Sequence, residues 1–326
     1  MEKIIPEKLK NEGLLVNNEY KSIEQHYHQK LFSLHWEIKT VLYLGVLLLS
    51  AGAGLIIYQN IDTISHQAIL AALAFSCLAC FIYCFKKGAP YSPNCIESPG
   101  LLYDYLLLLG CLLFLSFEGY FQFKYEIFGT RYGLAVLIPA LLFFFLAYRF
   151  DHKGVLSMAI TAYAAWMGLS VTPNDLLTGN AEFYEMNFVW TGIGFGISLA
   201  TTSFLLEKYS IKKHFSFTYL NFAANVLLLA TLAGLFMSED LIKLLFSILL
   251  GAFCFAFIMY AKREHSFYFL LVSAIAGYIG VTYLIFLGLS NLGSGEGVVY
   301  LGIFYFIGSC GLIIYFFINH KKFLKL

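Results

Sequence analysis

Residues 132–173 read YGLAVLIPALLFFFLAYRFDHKGVLSMAITAYAAWMGLSVTP. An apolar run over 132–148 meets the polar turn Arg149-Phe150-Asp151-His152-Lys153, and a second apolar run follows over 154–173. A hydrocarbon layer about 30 Å thick takes roughly 17–25 apolar residues per helix. Each run therefore has the length of one crossing, and the turn between them has room only to reverse the chain. Within lipid the backbone must satisfy its own hydrogen bonds, so the crossings are helices.

The same pattern extends in both directions. Apolar runs at 38–59, 67–85, 101–122, 186–206, 216–236, 243–261, 267–290 and 297–319 bring the expected spans to ten. The chain is 60% hydrophobic and 13% charged, against about 45–50% and about 25% in soluble domains, so water is not its main solvent. The reading is an all-α polytopic transmembrane helix bundle: a helical, amphipathic segment over 1–37, then a transmembrane domain over 38–326. The long charged stretch before the first run argues for a retained first helix over a cleaved leader.

Lys and Arg fall on alternate connections. With the N-terminus placed inside, 18 of the 21 basic residues lie on the cytoplasmic side, and only Lys124, Arg131 and Lys243 lie opposite. Positive residues are retained on the cytoplasmic face, so both termini are expected there, in a multi-pass protein of a bacterial inner membrane. In the opening segment Tyr20, Ile23, Tyr27 and Leu31 recur at helical spacing. This makes 1–37 a surface helix or a contact for a protein partner or a second copy; the bilayer is the other expected partner.

The turn Arg149-Phe-Asp151-His152 has a counterpart in Lys262-Arg-Glu264-His265. Each leads into an Ala-Ile-x-x-Tyr sequence, at 159–163 and 274–278. Further on, 189–197 parallels 299–307. The copies lie four spans apart with one orientation, which suggests a parallel repeat of spans three to six as spans seven to ten.

Near the start, Glu12-Gly13-Leu14-Leu15 breaks the helical segment, Gly45, Gly52 and Gly54 punctuate the first span, and Gln59-Asn60-Ile61-Asp62 closes it. This pattern resembles an uncharacterised bacterial multi-span membrane protein family, domain of unknown function 2157, over the N-terminal third and over 1–65 best. The chain departs from it at Ile61, where the family carries Trp. The resemblance implies a membrane helix fold and brings no activity with it.

Ionisable groups inside a bilayer cost roughly 2.5–3.5 kcal/mol on insertion scales, so each is a functional candidate. Asp104 and Glu118 share span three. Fourteen residues give about 21 Å of rise and about 40° of rotation, which puts them on one face, either as a proton or cation path or as span-end groups paired with neighbouring Lys and Arg. Asn221 and Asn225, at i and i+4, share a face of span seven and could hold solute or join helices. His152 and His265, beside Asp151 and Glu264, have the chemistry of a pH sensor or proton relay.

Cys77-x-x-Cys80-x-x-x-Cys84 lines one helix face and reads as packing, Cys95 falls in a cytoplasmic loop, and no metal, cofactor, disulfide or catalytic residue is expected. Glycines of spans six and nine, among them Gly192, Gly194, Gly196 and Gly280, read as close helix contacts. There is no Walker A sequence, no HExxH and no basic stripe for nucleic acid. The functional expectation is a transporter or channel-like carrier of a small solute or ion. The alternatives are a membrane-anchored interaction or sensory protein and, third, a lipid-modifying enzyme; an enzyme is the less expected outcome.

Overall fold

The computed structural model describes residues 35–59, 65–128, 132–171, 186–291 and 296–319. Most of the opening segment, with Tyr20 to Leu31, lies outside them, as do Ile61 and Arg131. The described residues form ten α-helices: α1 (His35–Gln59), α2 (His66–Lys87), α3 (Leu101–Tyr125), α4 (Tyr132–Phe150), α5 (Lys153–Val171), α6 (Met186–Tyr209), α7 (Ser216–Met237), α8 (Asp240–Arg263), α9 (Phe267–Asn291) and α10 (Glu296–Ile318), with a single 3-10 turn over Lys213–Phe215. Each expected span falls on one of them, and no strand occurs among the described residues. Seven are long and apolar enough to cross a membrane, and shorter apolar stretches lie at Thr40–Ile56 in α1 and Tyr300–Phe316 in α10.

The chain divides into two units. The first, ending at Asn60, contributes α1; the second, from Ile61 onward, holds α2 to α10. Within the second unit α5 packs on α3, α4, α6 and α7, and α7 packs on α5, α6, α8 and α9. These two helices carry the middle of the bundle. The pairs α3–α4, α4–α5, α3–α5 and α5–α6 recur as α7–α8, α8–α9, α7–α9 and α9–α10, the neighbour pattern that a four-span repeat would produce.

Both the inside and the outside of this unit are apolar. Phe143, Phe215, Phe246 and Phe269 are fully enclosed, while Phe75, Phe145, Phe255 and Phe304 stand on the outer surface. In lipid, burying apolar area does not drive helices together, so close van der Waals contact must do it. Gly234 and Gly196 supply that contact. A Cβ on Gly234 would lie 2.4 Å from Cε1 of Phe246 in α8, and one on Gly196 would lie 2.5 Å from Cγ of Leu227 in α7. Gly280 meets Leu250 in the same way, whereas Gly194 meets nothing within 4 Å.

The helix ends at one side of the second unit share a device. His152 N–H donates to Ala147 O, Ile211 N–H to Leu206 O and Ser266 N–H to Ala261 O, at 3.0–3.2 Å. Asp151, Ser210 and His265 take left-handed φ of 58°, 54° and 52° one residue earlier. This is the Schellman closure. It occurs at the ends of α4, α6 and α8, where the basic residues gather, and we refer to that side as the basic end.

Candidate functional site

The helix α3 carries two acids into different surroundings. Asp104 lies in its first turn, where Oδ2 accepts a hydrogen bond from Ser98 Oγ at 3.1 Å and Oδ1 lies 3.9 Å from Nε2 of His152. Glu118 is buried, and its Oε1 has no hydrogen-bond partner among the described residues. The two acids part company in their surroundings: Asp104 meets Ser98 and His152 at the basic end, whereas Glu118 opens onto a cavity.

That cavity has a volume of about 890 Å³ and lies between α3, α4 and α5. Glu118, Gln122 and Glu126 line it from the α3 side, Val136 and Pro139 from α4, and Ser157, Met158 and Thr161 from α5. The α5 hydroxyls bond back along their own helix, Ser157 Oγ to Lys153 O at 3.1 Å and Thr161 Oγ1 to Ser157 O at 2.9 Å. Their protons are committed, so their oxygens remain as acceptors. Pro139 has no N–H, which leaves the Ala135 carbonyl without its usual intrahelical donor; Ala135 also lines the cavity. Apart from the Gln122 amide, which takes the Phe128 N–H on its oxygen at 3.1 Å, the polar groups of this open, largely apolar cavity are acceptors.

At the basic end the connection 88–100 is tied to two other turns. Asp151 Oδ2 accepts from Ile96 N–H at 2.6 Å and pairs with Lys212 Nζ at 2.9 Å, and neither side chain is exposed. Lys212 also donates from its backbone N–H to Pro93 O at 2.7 Å and from Nζ to Asn94 O at 3.2 Å, with Nζ 5.4 Å from the centre of the Tyr91 ring. His214 Nε2 bonds Asp151 Oδ1. Arg149 Nη1 donates to Ala89 O at 2.7 Å. A lysine is buried only when its charge is met; here a carboxylate, a carbonyl and a ring face meet it.

His152 has a local task beside its approach to Asp104. Its Nδ1 accepts the Val155 N–H at 3.1 Å, the bond an N-cap side chain makes to the third residue of the helix it opens. The counterpart turn is built differently. Glu264 pairs at 3.4 Å with its neighbour Arg263, and both are exposed. The left-handed position falls on His265 there but on Asp151 in the first turn, one residue out of step with the matched letters.

Asn221 and Asn225 close on a partner that the sequence did not single out, Tyr268 of α9. Asn225 Nδ2 donates to Tyr268 Oη at 2.5 Å, and Tyr268 Oη donates to Asn221 Oδ1 at 3.1 Å. Neither amide lines the Glu118 cavity. Cys77, Cys80 and Cys84 are buried, in keeping with packing, and Cys77 Sγ reaches Gly110 O at 3.4 Å.

The first described helices, the Glu118 cavity and the Asp151 turn fall largely in one stretch of the chain. Residues 7–156 match the family model described as Predicted membrane protein (DUF2157). The match agrees with the resemblance read from the first 65 residues and carries it past Asp104, Glu118 and Asp151. Lys212 and His214 lie beyond it. No curated protein and no solved structure matches the chain. The chain is an integral membrane protein with several apolar helices.

Proposed function

We propose that the chain is a carrier, or a channel-like pathway, for a small solute that brings a cationic or hydrogen-bond-donating group to Glu118. The observation behind this reading is the buried, unpartnered Glu118 Oε1 at the wall of a cavity of about 890 Å³. An ionised carboxylate without a partner is costly in low dielectric, and a cation in the chamber would remove that cost. The acceptor-rich lining and apolar walls fit an organic amine or an inorganic cation better than an anion. In this reading the basic end faces the cytoplasm of a bacterial inner membrane.

The reading is tested by binding. Small aliphatic amines and inorganic cations, titrated into the purified protein, should raise its unfolding temperature in a saturable way, because a ligand at about 100 times its dissociation constant stabilises the folded form by about 2.7 kcal/mol. Glu118→Gln should remove the effect. Equal stabilisation of both forms, or none of either across the panel, would contradict it.

A further inference from the structure

We propose that Cys95, Asp151 and His214 form a zinc site at the basic end. The Cys95 thiol, one carboxylate oxygen of Asp151 and one ring nitrogen of His214 all lie within 4.8 Å of one another. They come from three separate connections: α2–α3, α4–α5 and α6–α7. Zinc takes S, N and O donors at about 2.3, 2.0–2.1 and 2.0–2.2 Å in a tetrahedral arrangement, which sets neighbouring donors roughly 3.3–3.8 Å apart. Zinc would take the place of the proton that His214 Nε2 and Asp151 Oδ1 now share, those two atoms moving apart as the side chain of Cys95, which is exposed, turns its thiol inward.

The surroundings favour a metal over a chance meeting of three side chains. Asp151 Oδ2 is already held by the Ile96 N–H and the Lys212 ammonium, so the carboxylate is fixed in direction and presents Oδ1 on the side of His214. Groups that orient a ligand in this way are characteristic of metal sites. Lys212 takes a left-handed φ of 46°, a conformation that a bulky lysine rarely adopts and that persists where the surroundings enforce it, often at functional sites. A Cys95 thiolate and Asp151 Oδ1 bring negative charge to the ion, while Lys212 stays on the far oxygen of the same carboxylate. Three protein ligands leave one tetrahedral position for water or a further donor. Zinc here would clip the 88–100 connection to the turns that begin α5 and α7.

The test uses the full chain in detergent with cobalt(II) as an optical stand-in for zinc. The unaltered protein should bind one cobalt ion per chain with a thiolate-to-cobalt charge-transfer band, and zinc should displace it. Cys95→Ser should lose that band, and His214→Gln should weaken cobalt binding at least about tenfold. Because Cys95 is exposed, the serine variant keeps the Asp151–Lys212 pair and folds, which its unfolding temperature verifies. Absence of saturable cobalt binding, or a charge-transfer band that persists in Cys95→Ser, overturns the proposal.

Discussion

Lys212 Nζ stands 2.9 Å from Asp151 Oδ2 with both side chains fully enclosed, and the pair joins the α6–α7 turn to the α4–α5 turn. Removing one member of a buried pair strands the other charge and costs about 3–5 kcal/mol, whereas replacing both is often close to neutral. Lys212→Met should therefore destabilise the protein by about that amount, and Asp151→Asn combined with Lys212→Met should recover most of it. Denaturant unfolding in mild detergent measures both. Additive losses would show that the two charges do not act as a pair.

Helix contact through glycine gives a second expectation. A methyl group on Gly234 would collide with the enclosed Phe246 ring, so Gly234→Ala should cost about 1–3 kcal/mol. Gly194 has open space around its Cα. Gly194→Ala should be neutral or gain up to about 1 kcal/mol from helix propensity. Equal effects at the two positions would refute the packing of α7 on α8 described above.

The Asn221–Tyr268–Asn225 network predicts a structural role for the two amides. Tyr268→Phe removes both hydrogen bonds made by the Tyr268 hydroxyl, and interhelical bonds of this kind contribute about 0.6–2 kcal/mol. The variant should lose that much stability and keep ligand binding at Glu118 unchanged. Loss of binding at full stability would return the amides to the solute path.

His152 separates capping from proton relay. His152→Ala should cost about 1 kcal/mol, by loss of the N-cap bond to the Val155 N–H, and raise hydrogen exchange in the first turn of α5. His152→Asn can cap and should restore most of it. Transport that vanishes in the asparagine variant with stability intact would make His152 a relay.

The helices were legible because lipid imposes a simple rule: an apolar run of fixed length between polar breaks. Their ends ran past the runs, as at Asp240–Ile242 in α8 and Phe123–Tyr125 in α3, where the helix continues through a charged residue, Asp240 or Lys124. Glu118 was legible as a costly charge, but its chamber was not, since Pro139, Ser157 and Thr161 reach it only after α4 and α5 have folded against α3. Lys212 looked like one more basic residue of a solvated turn; no local signal tells a buried lysine from an exposed one. Cys95, Asp151 and His214 sit on different connections, and no spacing links them. Tyr268 was hidden among many span aromatics for the same reason.

The most direct test of the central claim is uptake into liposomes carrying the purified protein, with a panel of radiolabelled small amines and monovalent cations outside. The account predicts saturable uptake of at least one of them, its loss in folded Glu118→Gln, and its retention in Asp104→Asn, because Asp104 belongs to the loops of the basic end and not to the cavity. Uptake that proceeds at the native rate in Glu118→Gln would contradict it.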